Sequence, residues 1–385
     1  MKILYHHRIR SRDGQFVHVS EIIKAMRALG HEVVLIGPEI LDNAAEGLGA
    51  GWVARFKRLA PAFVYEFVEM TYSIYDFPRL VFAVRRHHPD FIYERYNLFF
   101  FSGVWASFLC RLPLLLEVNA PLAQERAKFG GLALKRLASW SEAYVWRRAT
   151  RVLPVTRVLG KIIEAAGADP NRIEVISNGV DPATFTPDQP KWDSPESRNA
   201  TDSITVGFVG YLRKWHQLDR VISLLSQDRD RNTRLIVIGE GPAQQELLAT
   251  AEAQGVQDRV HFVGVKDRAD LPRHICRFDI ALQPSVVDYA SPLKLQEYMA
   301  MVCAIVAPDK ENIREVLVHE HNALLFDPEC GDSFESAVHR LCTDAELRQR
   351  LGLAATATIR DRGLTWDNNA RRIVTIAEEC LPQAS

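Results

Sequence analysis

Short apolar runs alternate along this chain with longer stretches whose apolar positions recur at helical spacing. The first run, Lys2 to His6, leads into the polar loop Ser11-Arg12-Asp13-Gly14-Gln15. A helix-period segment follows from Val17 to Leu29, with Val19, Ile22, Ile23 and Met26 on one face. Gly30-His31 ends it, and Glu32-Val33-Val34-Leu35-Ile36-Gly37 reads as a second buried strand. Strand, helix and strand in that order imply parallel strands and a right-handed crossover. Further strands are expected at Phe91–Tyr93, Leu114–Val118, Arg151–Pro154 and Ile173–Ile176, with helices at Leu98–Leu109, Lys135–Arg148 and Val158–Ala166.

From Asp181 to Asp202 the chain turns to Pro, Asp, Ser, Thr and Asn, a composition that reads as a linker. The alternation then restarts. Strands are expected at Ile204–Val209, Leu235–Ile238, Val260–Val263, Ile280–Gln283, Ala304–Ala307 and Ala323–Phe326, each followed by a helical run. The expected organisation is an α/β chain with one domain over 1–182, a linker over 183–202, a second domain over 203–364 and a terminal helix within 365–385. Two such series fit two parallel sheets covered by helices, with ligands at the carboxyl ends of the strands.

A chain of 385 residues with 25% charged residues fits a globular protein of two domains. Six cysteines without Cys-x-x-Cys spacing point to structural thiols in a reducing compartment. The N-terminus turns polar too soon for a signal peptide, and the apolar stretch Leu98 to Leu116 is broken by Arg111 and Pro113. The expected location is the cytoplasm, with the inner face of a membrane as a further possibility. Residues 1–185 hold 24 Lys+Arg against 18 Asp+Glu, and residues 186–385 hold 23 against 30. A basic first half could face a phospholipid surface or lipid phosphate. Nucleic acid is not expected as a partner.

The strand-end loops of the second half carry phosphate-binding chemistry. Gly210 is followed within six residues by Arg213, Lys214 and His216, a glycine and cations able to hold a diphosphate. Gly239-Glu240-Gly241-Pro242 is a tight turn into a helix, and the backbone at Gly264-Val265 could meet a flat base. Ser291-Pro292-Leu293-Lys294-Leu295-Gln296-Glu297 opens an amphipathic helix whose free N–H groups attract phosphate, while Glu297 could accept from a pair of sugar hydroxyls. No complete Gly-x-Gly-x-x-Gly, Gly-Lys-Ser/Thr or His-Glu-x-x-His occurs. A dehydrogenase, a P-loop enzyme and a catalytic metal are therefore not expected, nor any cofactor.

Taken in order, Ile176-Ser177-Asn178-Gly179-Val180-Asp181, Gly207-Phe208-Val209-Gly210, Gly239-Glu240-Gly241-Pro242, Phe262-Val263-Gly264 and Ser291 to Ala300 resemble the retaining nucleotide-sugar glycosyltransferases of the GT-B fold, family 4 type. Asp13 to His18 and Leu29 to Val33 resemble that family's opening loop and first helix. The resemblance implies two Rossmann-like domains facing a central cleft. The acceptor side would be N-terminal, the sugar nucleotide would be held mainly by the C-terminal domain, and the last helix would pack back toward the first. It places Arg213 on the donor diphosphate, with His216 or Lys214 as the second cation. It sets Ser291, Pro292 and Leu293 at the diphosphate, Lys294 among the donor-binding residues, Glu297 on the ribose, Gly264 and Val265 near the base, and Gly14 where the N-terminal loop approaches the phosphates.

Three departures stand out. Tyr289 occupies the place of a first, sugar-facing glutamate, with Asp288 beside it. Asn119, with Glu117 as an acidic neighbour, lies where an N-domain histidine is usual. Met301 replaces a small residue after Ala300. The function expected is retaining transfer of a sugar from a UDP- or GDP-linked donor to an acceptor hydroxyl, on a glycan or lipid-linked acceptor, in polysaccharide, glycolipid or glycoconjugate biosynthesis. The alternative is a catalytically impaired donor-binding homologue serving as a partner subunit. For the acceptor side, aromatics at 52–88 (Trp52, Phe56, Phe63, Tyr65, Phe67, Tyr72, Tyr75 and Phe77, beside Arg55, Lys57 and Arg58) and at Lys135–Arg148 (Trp140, Tyr144 and Trp146, beside Arg147 and Arg148) either rest on a membrane or belong to helices that pack them into the core.

Overall fold

The structure, a computed structural model, describes residues 1–9, 14–38, 62–188, 203–227 and 233–381. Its first sheet comprises β1 (Lys2–His6), β2 (Glu32–Ile36), β3 (Phe91–Arg95), β4 (Leu114–Val118) and β5 (Arg151–Pro154), in the spatial order β2-β1-β3-β4-β5. All pairs are parallel, with Ile3 opposite Val33 on one side and Phe91 on the other. The helices with it are α1 (Gly14–Ala28), α2 (Ala62–His87), α3 (Ser102–Cys110), α4 (Leu122–Phe129), α5 (Lys135–Arg148) and α6 (Arg157–Ala165). Every residue of β3 and β4 is buried, as expected for parallel strands covered on both faces.

The second sheet holds β6 (Ile204–Val209), β7 (Thr233–Ile238), β8 (Val260–Phe262), β9 (Ile280–Leu282), β10 (Ala304–Pro308) and β11 (Leu324–Phe326), ordered β11-β10-β9-β6-β7-β8 and again all parallel. Its helices are α7 (Leu218–Gln227), α8 (Gln244–Ala253), α9 (Leu271–Ile275), α10 (Leu293–Ala300), α11 (Glu311–Arg314), α12 (Ser333–Thr343) and α13 (Ala345–Asp361). Alternate residues of the strands feed two cores. Leu235, Val237 and Val306 join Phe208, Phe326 and Phe334 in one, while Ile236, Ile238 and Ile305 join Phe185 and Tyr298 in the other. Burying each such side chain is worth roughly 1.5–3 kcal/mol. Tyr298 also accepts the Val209 N–H at 2.8 Å, which ties the end of β6 to α10.

By their contacts the residues form two compact units. The first is Met1–Ser177 with Tyr289–Ser291 and Trp366–Ser385, and the second is Asn178–Asp288 with Pro292–Thr365. The last helix, α14 (Trp366–Cys380), lies in the first unit and packs on α1.

Several expected elements are corrected. Ile173–Ile176 is not a strand. Glu174 and Ile176 donate to Val152 and Pro154 of β5, but Pro154 has no N–H with which to continue the ladder. The helix expected from Leu98 starts at Ser102, because Phe99 takes a left-handed φ of 59°. Helix α2 had no expected limits, only the alternative of core-packing helices within 52–88: its aromatic run and internal Pro78 obscure the helical period. Helix α4 was unexpected. The Ser11–Asp13 loop, Trp52, Arg55, Phe56, Lys57, Arg58 and residues 189–202 of the expected linker lie outside the described residues. Among the described residues no helix is long and apolar enough to cross a membrane.

Candidate active site

In the second unit the loops leaving β6, β7 and β8 are joined by backbone hydrogen bonds. Gly210 donates to Ile238 (2.9 Å), Leu212 to Glu240 (2.8 Å) and Gly239 to Gly264 (2.9 Å). Such close approach requires glycine. Gly239 and Gly241 take φ of 128° and 157°, and a Cβ on either would collide with the backbone of Gly210 or Leu212. Gly264 also has positive φ, and Val265 beside it is 64% exposed, an apolar side chain left at the strand ends.

The structure sorts the four candidate cations. Arg213 is exposed and stacks its guanidinium over the rings of Tyr211 (4.8 Å) and Trp215 (5.0 Å). It forms no ion pair among the described residues. Lys214 is exposed and paired with Glu246 at 2.8 Å. His216 lies against Phe208 and accepts the Arg213 N–H on Nδ1 at 3.3 Å. Burial, helped by Lys294 and Arg213, pushes its pKa down to about 3, so His216 is a neutral imidazole and not the second cation expected. Lys294, in the first turn of α10, sits with Nζ 3.9 Å from the Phe208 ring centroid. Nζ also fills the space beside Gly210 where a Cβ would stand 2.9 Å away. Burial lowers its pKa to about 7, with Glu297 opposing.

Pro292 precedes the first turn of α10, and the N–H groups of Leu293 and Lys294 have no intrahelical acceptors. Glu297, one turn on, is buried and held by Arg268, whose guanidinium stacks on Phe185 at 4.5 Å. The Glu297 carboxylate expected to take sugar hydroxyls thus has a protein partner that the motif alone did not reveal.

In the first unit Glu117, at the end of β4, is 2% exposed and accepts from Arg95, from Asn119 and from Tyr93 (3.0 Å), with His18 Nδ1 at 3.3 Å. Burial works to raise its carboxyl, but His18, the Arg95 guanidinium and the hydrogen bonds from Asn119 and Tyr93 hold it below the usual range. His18 is pushed down to about 4 by burial and stands edge-on to Trp366. Asn119 is therefore bound to Glu117. Tyr289 donates its hydroxyl to Glu125 (2.9 Å), and its carbonyl accepts from Thr156, the residue that caps α6. The position where a carboxylate was missing thus has one, Glu125, at hydrogen-bond distance. Ser291 is half-buried in the same unit, and Gly14 begins α1 with open space around its α-carbon.

Two features of the first unit had no sequence signal. His6 is completely buried, with Nδ1 2.6 Å from Glu94 and Nε2 2.8 Å from Asp76, and Ser102 also donates to Asp76. Gly103 makes room for Glu94, since a Cβ there would occupy the space of its carboxylate. Helix α2 turns all three of its acids inward: Glu66 accepts from the Ala133 and Leu134 N–H groups, Glu69 pairs with Arg126, and Asp76 holds His6. Its exposed side carries Phe63, Phe67, Ile74, Tyr75 and Phe82 with Arg79, Arg85 and Arg86, and no acid.

Two family models divide the chain: "Glycosyltransferase Family 4" matches residues 12–184 and "Glycosyl transferases group 1" residues 190–358. A GDP-mannose-dependent alpha-mannosyltransferase of Mycolicibacterium smegmatis is 26% identical over 365 residues, covering 90% of this chain and 88% of the relative. An alpha-D-kanosaminyltransferase of Streptomyces kanamyceticus is 24% identical over 62% of this chain, which spans 64% of that relative's length. The crystal structure of Anabaena HepE in complex with UDP superposes with a TM-score of 0.73 at 17% identity, covering 98% of this chain and all of that one. Two all-parallel α/β units, glycine-built strand ends in the second and two family models that together run nearly end to end place this chain among the group 1 glycosyltransferases of the GT-B fold.

Proposed function

We propose that the protein transfers a glycosyl group from a UDP- or GDP-linked donor to an acceptor hydroxyl with retention at the anomeric carbon. The observation that carries this reading is the strand-end cluster of the second unit. There a collar of glycine backbone carries Arg213, and the start of α10 carries Lys294 one turn before the buried Glu297; neither cation forms an ion pair among the described residues. In the proposed reaction the acceptor oxygen bonds to the anomeric carbon as the bond from that carbon to the donor's phosphate oxygen breaks. The acceptor's proton passes to the departing diphosphate. Negative charge grows on that diphosphate, and preorganised cations and N–H groups stabilise it more than they stabilise the bound donor. Arg213, Lys294 and the first turn of α10 are assigned this role. Glu297 is assigned the ribose hydroxyls, for which it must exchange Arg268, and the backbone at Gly264-Val265 the base.

Arg213→Ala is expected to lower turnover by two or more powers of ten, about 3 kcal/mol in the transition state. Glu297→Ala is expected to act mainly on donor affinity. Steady-state kinetics with the donor varied checks both, and equal small losses in the two variants would sink the assignment. The donor itself is read by thermal shift with UDP and GDP, since a ligand at a hundredfold its Kd adds about 2.7 kcal/mol. The reading as an impaired partner subunit rests on Tyr289, whose hydroxyl and carbonyl are both engaged. Turnover by the purified protein would discard it.

We further assign a lipid-linked acceptor and contact with an anionic membrane surface on the cytoplasmic side. The support is the acid-free outer face of α2, where apolar rings stand beside three arginines. Aromatic residues enter the interface while guanidinium groups meet lipid phosphate, each worth about 1 kcal/mol at a negatively charged surface. Vesicles of phosphatidylglycerol and phosphatidylcholine should carry the protein upward in a flotation gradient at low salt. Phe67→Glu with Phe82→Glu should abolish this, and absence of wild-type binding would remove the idea.

A further inference from the structure

We infer that Lys294 supplies the second positive charge that the loop after β6 lacks, and that it takes up a proton when the donor's diphosphate binds. The inference rests on the donor site proposed above but concerns where its charge comes from. Three candidates follow Gly210 in the sequence, and the structure leaves one of them as an available cation. Lys214 is turned outward to Glu246. His216 has its Nδ1 committed as an acceptor of the Arg213 N–H and its ring laid against Phe208, so no proton resides on that nitrogen. Arg213 remains. The Lys294 ammonium reaches the same place from α10, over the other contact of the Phe208 ring and into the gap left by Gly210.

This ammonium is electrostatically incomplete. Among the described residues it makes no hydrogen bond and no ion pair. The groups that bear on it are Glu297 on its own helix, already held by Arg268, and the neutral His216 from the loop after β6, whose ring also feels Arg213. An aromatic face compensates only part of the lost hydration of an ammonium group. Burial therefore lowers its pKa to about 7. A diphosphate brought to the start of α10 supplies the absent counter-charge and returns the proton. Nucleotide binding is then linked to protonation: binding to the charged form is lost as pH rises above the free-site pKa.

The test is calorimetric titration of the full chain with UDP and with GDP at pH 8, in buffers of different ionisation enthalpy. A terminal phosphate with a second pKa near 6 is fully ionised there, so protons taken up must go to the protein. The wild type should take up a large part of one proton per nucleotide bound, and its affinity should be severalfold weaker at pH 8 than at pH 7. Lys294→Met should bind more weakly with no uptake and no change in affinity across that range, whereas His216→Gln should keep the uptake. Wild-type binding without uptake, or uptake that survives Lys294→Met, would overturn the inference while leaving the donor site standing. Binding of neither nucleotide would overturn both.

Discussion

Lys294→Met is expected to lower turnover about a hundred- to a thousandfold, the usual effect of removing one preorganised group from a developing oxyanion. It should do so with the melting temperature unchanged or higher. The two results together separate a functional lysine from a structural one. A half-buried ammonium with no ion pair among the described residues costs folding free energy, and a methionine of similar length against Phe208 relieves that cost. A residue retained for packing would show the reverse, with activity falling only as far as stability falls. Activity assays with a saturating sugar-nucleotide donor, read beside a thermal melt, decide between them.

His6→Ala is expected to destabilise the first unit by about 3–5 kcal/mol, the cost of stranding buried charge. Both ring nitrogens of His6 meet carboxylate oxygens, so the imidazole donates twice and is held in its charged form. Burial alone would lower its pKa, but Asp76 and Glu94 outweigh that and raise it to about 9. Because the folded-state value lies above the ordinary 6.5, this stabilisation is fully present below about pH 6.5 and is lost as pH rises through about 9. The shift corresponds to about 3 kcal/mol. For a unit of this size the melting temperature should fall by roughly 10 °C in His6→Ala. The variant should also lose the alkaline destabilisation of the parent. A parent that is equally stable at pH 7 and pH 10 by denaturant titration would refute the charged-histidine account.

Residues close in sequence carried most of what could be read in advance. Helix α5 and strands β1, β4, β5 and β6 fall on their expected limits, because apolar periodicity reports burial directly. Gly210, Gly241 and Gly264 could be placed at strand ends since their turns are local, and Lys294 and Glu297 share one helix by spacing alone. Helix α2 was hidden because its two sides divide in an unusual way, acids inward and aromatics outward. A periodicity argument assigns polar residues to solvent, and that rule fails where Glu66, Glu69 and Asp76 find partners from other segments.

By itself the sequence determined the two α/β series, the order of their strands along the chain and the glycine-marked loops that end them. Those features follow from short-range patterns of burial and turn chemistry. Only the tertiary structure decided the state of the charges. It made His216 neutral, paired Lys214 with Glu246 and Glu297 with Arg268, brought Glu125 to Tyr289, and set His6 between Asp76 and Glu94. The protonation and availability of a group depend on desolvation and on partners within a few ångströms, and here those partners come from residues 3 to 164 positions away.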